Sequence, residues 1–260
     1  MIRRGSLWEM TGHARVITLI GAGGKTTSLQ RLGHEIQTSG QEAVLTTTTK
    51  VWPFLEADVW RSPDLPPPRV NSTGLWFWYA QEETESGKWL GPEIGIIDQA
   101  LSDFLLYEGG SRDKNSSRVW VIEGDGAKEK SLKFWAGHEP QIPSRTECAI
   151  LVMDGSLWGK RLSAAEMHRP EYGRAFQGRV FAAEFIREYL LTSPAFSPGY
   201  AHMSWVIVLN EKGLGELVGL GDLIENENIT GLYQAHQRPG HLRLAAGDCR
   251  SGEMRWAELW

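Results

Sequence analysis

Short apolar runs alternate along the chain with stretches of helical periodicity, the pattern of an α/β sheet. Arg15 to Ile20 is a β-branched run that stops at glycine. From Thr26 to Gln37, Leu29, Leu32 and Ile36 recur at helical spacing, and Gly40 closes the segment. Ala43 to Thr47 reads as a second strand and Gly74 to Ala80 as a third, with Lys88 to Leu90 a partner for it. Four prolines between Ser62 and Arg69 predict a loop. Ile94, Ile97, Leu101, Leu105 and Leu106 give one apolar face to a helix over Pro92 to Tyr107. The wholly polar Ser111 to Ser117 reads as a flexible tip. Strands follow at Arg118 to Ile122, Cys148 to Met153 and Trp205 to Leu209. Helices are predicted over Gly178 to Leu191 and Gly213 to Ile224, with a break at Pro194 to Pro198. The last thirty residues alternate weakly and predict edge strands or a small subdomain.

The 260 residues suffice for one large domain or two small ones. Residues 1–225 are expected to form the main α/β domain and 226–260 a set of C-terminal strands packed on it. Lys and Arg total 27 against 32 Asp and Glu, a net charge of −5, which argues against a nucleic-acid partner. No apolar run approaches the roughly 18 residues of a membrane helix. Arg3 and Arg4 are followed by no apolar block of signal-peptide length, so a cytoplasmic protein without a membrane partner is expected. Cys148 and Cys249 stand far apart and outside any CxxC pair, which disfavours a zinc knuckle or a disulfide framework. Tryptophan is abundant at 12 residues. Trp76, Trp78, Trp120 and Trp205 lie in apolar runs, where core packing explains them.

The strongest local signal is the strand–glycine turn–helix sequence Val16 to Thr27. Gly21, Ala22, Gly23 and Gly24 let the backbone curl so that successive N–H groups point at phosphate oxygens. The helix behind adds the positive end of its dipole. Lys25 can reach terminal phosphates, and Thr26, followed by Thr27, can offer a hydroxyl to Mg²⁺. The common spacing GxxxxGK[ST] would require glycine where Leu19 stands. The shorter G-x-x-G-K-T form resembles the nucleotide loop of Mur-type ligases, which activate a carboxylate with ATP.

A second signal is the strand that ends in Glu123-Gly124-Asp125-Gly126. An acid at the carboxyl end of a strand beside a phosphate loop can hold Mg²⁺, and a second can orient a nucleophile. Glu123 and Asp125 are therefore candidate catalytic and metal residues with Lys25 and Thr26. Lys128, Lys130 and Lys133 read either as a solvated face or as charge for an anionic substrate. The Thr46 to Lys50 run reads either as β-branched strand or as hydroxyls facing a phosphate. Arg169, in His168-Arg169-Pro170-Glu171, can bind a phosphate or form a structural salt bridge. Asn210-Glu211-Lys212-Gly213 lacks the acid of a guanine-reading element, so guanine specificity is not supported.

With these motifs assembled, the sequence resembles the YqeC family, described as selenium cofactor biosynthesis proteins or accessories of selenium-dependent molybdenum hydroxylases. The matching stretches are GAGGKTT at Gly21 to Thr27, LTTTTKVWP at Leu45 to Pro53 and VIEGDGAKEKSLKFWAGHEPQIP at Val121 to Pro143. HRPE at His168 to Glu171 and VIVLN at Val206 to Asn210 also agree. Gly124 departs mildly from the family's commoner Ala, and the region after Asn210 lacks its frequent acid. The resemblance implies a P-loop NTPase-like fold that binds ATP or GTP with Mg²⁺, with Lys25, Thr26, Glu123 and Asp125 at the site. It also implies a selenium-dependent molybdenum hydroxylase or its cofactor as partner. Three readings follow: an Mg²⁺-dependent NTPase or phosphoryl-transfer enzyme in cofactor maturation, a ligase or kinase for a small acidic substrate, and a non-catalytic nucleotide-gated chaperone.

Overall fold

The computed structural model describes residues 1–54, 56–69, 73–108, 118–226, 229, 231–235 and 238–260. The polar tip expected over Ser111 to Ser117 lies outside them. In chain order the elements are β1 (Arg3–Gly5), α1 (Leu7–Met10), β2 (Val16–Gly21), α2 (Lys25–Thr38), β3 (Glu42–Thr47), β4 (Lys50–Val51), β5 (Asp58–Arg61) and β6 (Leu75–Tyr79). Next come β7 (Gln81–Glu82), β8 (Trp89–Leu90), α3 (Ile94–Glu108), β9 (Arg118–Glu123), β10 (Leu132–Lys133), β11 (Cys148–Asp154) and β12 (Met167–His168). The chain ends with α4 (Ala183–Thr192), β13 (Ser204–Asn210), α5 (Leu220–Glu225), β14 (His241–Asp248) and β15 (Glu253–Glu258).

Ten of these strands form one sheet in the order β1-β15-β14-β13-β11-β2-β9-β3-β6-β5. From β14 to β5 every neighbouring pair is parallel, whereas β15 runs antiparallel to both β14 and β1. The protein is therefore an α/β structure built on a large, mostly parallel sheet flanked by helices. Strands covered on both faces must be apolar almost throughout, which is why β2, β9 and β11 read as continuous runs. One polar exception, Thr18, is satisfied at 2.8 Å by the Thr146 hydroxyl.

Three helices do most of the covering. Leu29, Leu32 and Ile36 of α2 pack on Ile17, Leu19, Val121 and Val152, and each such buried side chain contributes about 1.5–3 kcal/mol. On the other face, Ile97, Leu101 and Phe104 of α3 meet Val44, Trp78, Trp120 and Ile122. Phe185, Ile186 and Tyr189 of α4 cover Leu151, Met153, Trp205 and Ile207. Trp78, Trp120 and Trp205 are core residues as the pattern predicts, while Trp76 is only half-buried. Among the described residues no helix is long and apolar enough to cross a membrane.

Several elements differ from the sequence expectation. The C-terminal strands are not edges: β14 lies inside the sheet, and the edge beyond β15 is the N-terminal β1. Lys88 to Leu90 does not join β6; β8 pairs with β4 and β7 in a small separate sheet. The helix expected from Gly178 begins only at Ala183, because Gly178 takes φ +75° and Val180 bridges to Arg161. The helix expected from Gly213 begins at Leu220. Gly213 and Gly215 have φ of +71° and +81°, and the Glu211 carboxylate accepts the N–H groups of Leu217 and Val218.

Arg118, at the start of β9, carries a structural duty that its strand pattern conceals. It is 4% exposed, grips Glu42 through Nε and Nη2 at 2.7 and 2.8 Å, and donates to the carbonyls of Pro67 and Pro68. Arg118→Ala leaves a buried carboxylate and two carbonyls unpaired and is expected to cost about 3–5 kcal/mol in urea unfolding. A loss under about 1 kcal/mol would contradict this account. Cys148 and Cys249 are fully buried, and burial pushes both thiols up to about 12. Neither should react with a chromogenic disulfide in native protein near pH ~8, and both should react after unfolding in denaturant. Rapid labelling of the native protein would refute their burial.

Candidate functional site

The turn from β2 into α2 sits where the strand order reverses, later strands being added on either side of β2. β9 and β11 flank β2 on opposite sides, so a crevice opens at the carboxyl ends of these strands, the usual ligand position in open parallel sheets. Gly23 and Gly24 have φ of +88° and +149°, a backbone that other residues rarely adopt. A Cβ on Gly23 would press on Asp154 and one on Gly24 would strike the Asn210 amide. The loop is fastened from the same side: Ala22 N–H donates to Val152 O at 2.9 Å, and Asn210 Nδ2 donates to Gly23 O at 2.7 Å. The N–H groups of Gly23 and Gly24, at the head of a fourteen-residue helix, have no acceptor among the described residues.

A buried charge cluster lies behind the loop. Lys25 Nζ donates to Gly21 O at 2.7 Å and stands 3.3 Å from Asp125 and 3.7 Å from Glu123. Thr26 Oγ1 donates to Glu123 Oε2 at 2.9 Å. Asp125 accepts the Gly21 N–H at 3.1 Å and the Trp135 indole N–H at 2.7 Å. Lys25, Glu123 and Asp125 are each no more than 5% exposed. Burial pushes the Glu123 carboxyl above its usual range, and the nearby Lys25 and the Thr26 hydroxyl only partly offset this.

The cluster continues away from the loop. Lys133 is fully buried, donates to Gly126 O, and stands 3.8 Å from Asp125 and 3.1 Å from Glu139. Burial pulls its ammonium below the ordinary lysine range, against the pull of both carboxylates. Arg169 Nε meets Glu139 at 2.8 Å. For Glu139, burial works upward, but the hydrogen bonds from Arg169 and Lys133 prevail and hold its carboxyl below the usual range.

The structure thus brings Lys25, Thr26, Glu123 and Asp125 into one contact group, with Gly21 to Gly24 beside it. Thr27 lines the cavities at the loop instead of joining the cluster. The threonine run divides: Thr46 is a strand residue bonded to Trp78 O, while Thr47 and Thr48 hydroxyls donate to Glu123 O. Lys50 pairs with Glu83. Of the three lysines after the acidic turn, Lys128 is exposed, Lys130 donates to Ala165 O, and Lys133 is neither solvated nor free to meet a substrate. Arg169 forms a salt bridge with Glu139 through Nε. Sequence reasoning missed Trp135, Asp154 and the loop-fastening role of Asn210. One signal was there to read: the strands beside the loop all end in a polar residue, namely Glu123, Asp154 and Asn210.

Two hollows meet at the loop. One of about 600 Å³ is lined by Gly23, Gly24, Lys130, Asn210, Lys212 and Arg250 among others. The other, of about 1000 Å³, runs from Lys25, Thr26 and Glu123 past Trp52 and Lys88 to His168 and Arg169.

Comparison with known proteins identifies the family. A family model described as YqeC protein matches residues 17–171, which contain the loop, the acidic turn and Arg169. A protein of Escherichia coli (strain K12) described as uncharacterized protein YqeC is 31% identical over 159 residues, covering 59% of this chain and 57% of that protein. The chain therefore spans less than two thirds of that relative's length. A mouse protein, C-type lectin domain family 6 member A, is 30% identical over 67 residues, 26% of this chain and 32% of its own. No solved structure matches. With more than half of its length matched by the family model, loop and acids included, the chain belongs to the YqeC family.

Proposed function

We propose that the chain binds a nucleoside triphosphate with Mg²⁺ at Gly21 to Thr27 and carries out phosphoryl chemistry in maturation of the selenium or molybdenum cofactor of selenium-dependent hydroxylases. The observation that supports this most is the meeting of Lys25, Thr26, Glu123 and Asp125 at the carboxyl ends of adjacent parallel strands, next to two helix-leading amides without acceptors. The cofactor pathway is carried by the YqeC resemblance alone.

On this reading the amides of Gly23 and Gly24 receive phosphate oxygens. Lys25 leaves Gly21 O and turns its charge to the phosphate tail. Thr26 and Glu123, both hard oxygen donors already 2.9 Å apart, would hold Mg²⁺, which when bound neutralises phosphate charge. Asp125 stays on the Gly21 N–H and Trp135, and so fixes the loop from behind instead of touching the reacting groups. Catalysis is then mainly positioning and charge neutralisation.

Lys25→Ala should lower ATP or GTP turnover by about 100-fold or more. Its folding is to be checked by circular dichroism, since two buried acids lose their nearest cation. Thr26→Val, which keeps the side-chain shape but removes the hydroxyl bonded to the buried Glu123, should raise the Mg²⁺ concentration needed for nucleotide binding by about tenfold and cost about 1–3 kcal/mol of stability, so its folding is checked in the same way. Turnover of Lys25→Ala at the wild-type rate, or an unaltered Mg²⁺ requirement in Thr26→Val, would remove the proposal.

A further inference from the structure

The larger hollow has a second polar wall that the nucleotide reading leaves unused. His168, Arg169 and Lys128 line it together with the loop. Arg169 spends only Nε on Glu139; its two terminal nitrogens have no partner among the described residues, and the side chain keeps 28% of its exposure. The Lys128 ammonium likewise has no partner among them and is exposed. Lys128, Glu129 and Arg169 take φ of +47°, +60° and +60°, a left-handed backbone that such residues seldom adopt and that is concentrated at functional sites. The cavity as a whole is lined by Lys25, Lys50, Lys88, Lys128, Lys130 and Arg169 against Glu123, Glu129, Glu139 and Glu171, in a chain whose net charge is −5.

We propose that this wall is a second substrate site, for a phosphate monoester gripped by the free end of the Arg169 guanidinium and by Lys128, with His168 completing its hydrogen bonds. A guanidinium fork matches two phosphate oxygens. Two uncommitted cations match a dianion better than a singly charged carboxylate, which the fork alone would satisfy. Burial, with Lys133 and Arg169 nearby, pulls the imidazole of His168 below its usual range, so near neutrality it donates or accepts a hydrogen bond without adding charge. As a second-substrate site it rests on the nucleotide reading; as an anion site it does not.

The test is calorimetric titration of phenyl phosphate into the full-length protein saturated with Mg²⁺ and a non-hydrolysable ATP analogue, with benzoate as the comparison. The loaded protein should take up about one equivalent of phenyl phosphate and bind benzoate much more weakly. Arg169→Lys, which keeps the Glu139 partner but loses the fork, and Lys128→Gln, at an exposed position, should each weaken phenyl phosphate about tenfold. Lys128→Gln should shift affinity for the analogue by less than about twofold. Absent binding, variants that bind as tightly as wild type, or benzoate binding as well as phenyl phosphate would each overturn the proposal. If the analogue itself fails to bind, the nucleotide reading falls alone. Phenyl phosphate added to the unloaded protein then decides this site: sensitivity to Arg169 and Lys128 but not to Lys25→Ala supports it, and the reverse refutes it.

Discussion

The carboxylate of Asp125 is the knot on which the loop region depends. It accepts the Gly21 N–H and the Trp135 indole and faces Lys25 and Lys133 at 3.3 and 3.8 Å. A buried carboxylate without partners would cost several kcal/mol. Supplying those partners fixes the end of β2, the start of α2 and the segment through β10 to Trp135 relative to one another. Lys133 is in turn held by Glu139, and Glu139 by Arg169, so the charges are compensated from the core out to the cavity wall.

This arrangement has an electrostatic consequence for the proposed chemistry. The lysine that would meet a triphosphate is already engaged by two acids and a carbonyl, so an incoming anion must compete with them. A divalent cation taken by Thr26 and Glu123 relieves that competition by giving one acid a new partner. Metal and nucleotide would therefore favour each other's binding. The glycines serve the same geometry: Asp154 and Asn210 crowd the loop from the neighbouring strands and leave no room for a Cβ.

Much of this was legible in the chain. Doubly covered parallel strands are continuous apolar runs, and the glycine turn after β2 marks the passage from strand to helix, so β2, α2, β3, β9, β11 and β13 could be placed. Lys25, Thr26, Glu123 and Asp125 could be grouped because each ends or follows an adjacent strand. What stayed hidden depends on distance in sequence. Asn210 reaches Gly23 across 187 residues, and no local pattern announces that contact. Lys133 sits in a run of lysines that looks solvated, and only its tertiary partners make its burial tolerable. The shortened α4 and α5 were misjudged because apolar periodicity continued through glycines that the fold holds at positive φ. β14 looked like an edge strand because its weak alternation gave no sign that β15 and β1 lie beyond it.

A crystal structure of the protein with Mg²⁺ and a non-hydrolysable ATP analogue would test the central claim most directly. The account predicts the Lys25 ammonium withdrawn from Gly21 O and within about 3 Å of a phosphate oxygen, with the Thr26 hydroxyl on the metal. A triphosphate bound elsewhere, with Lys25 still resting on Gly21 O and the two acids, would contradict it.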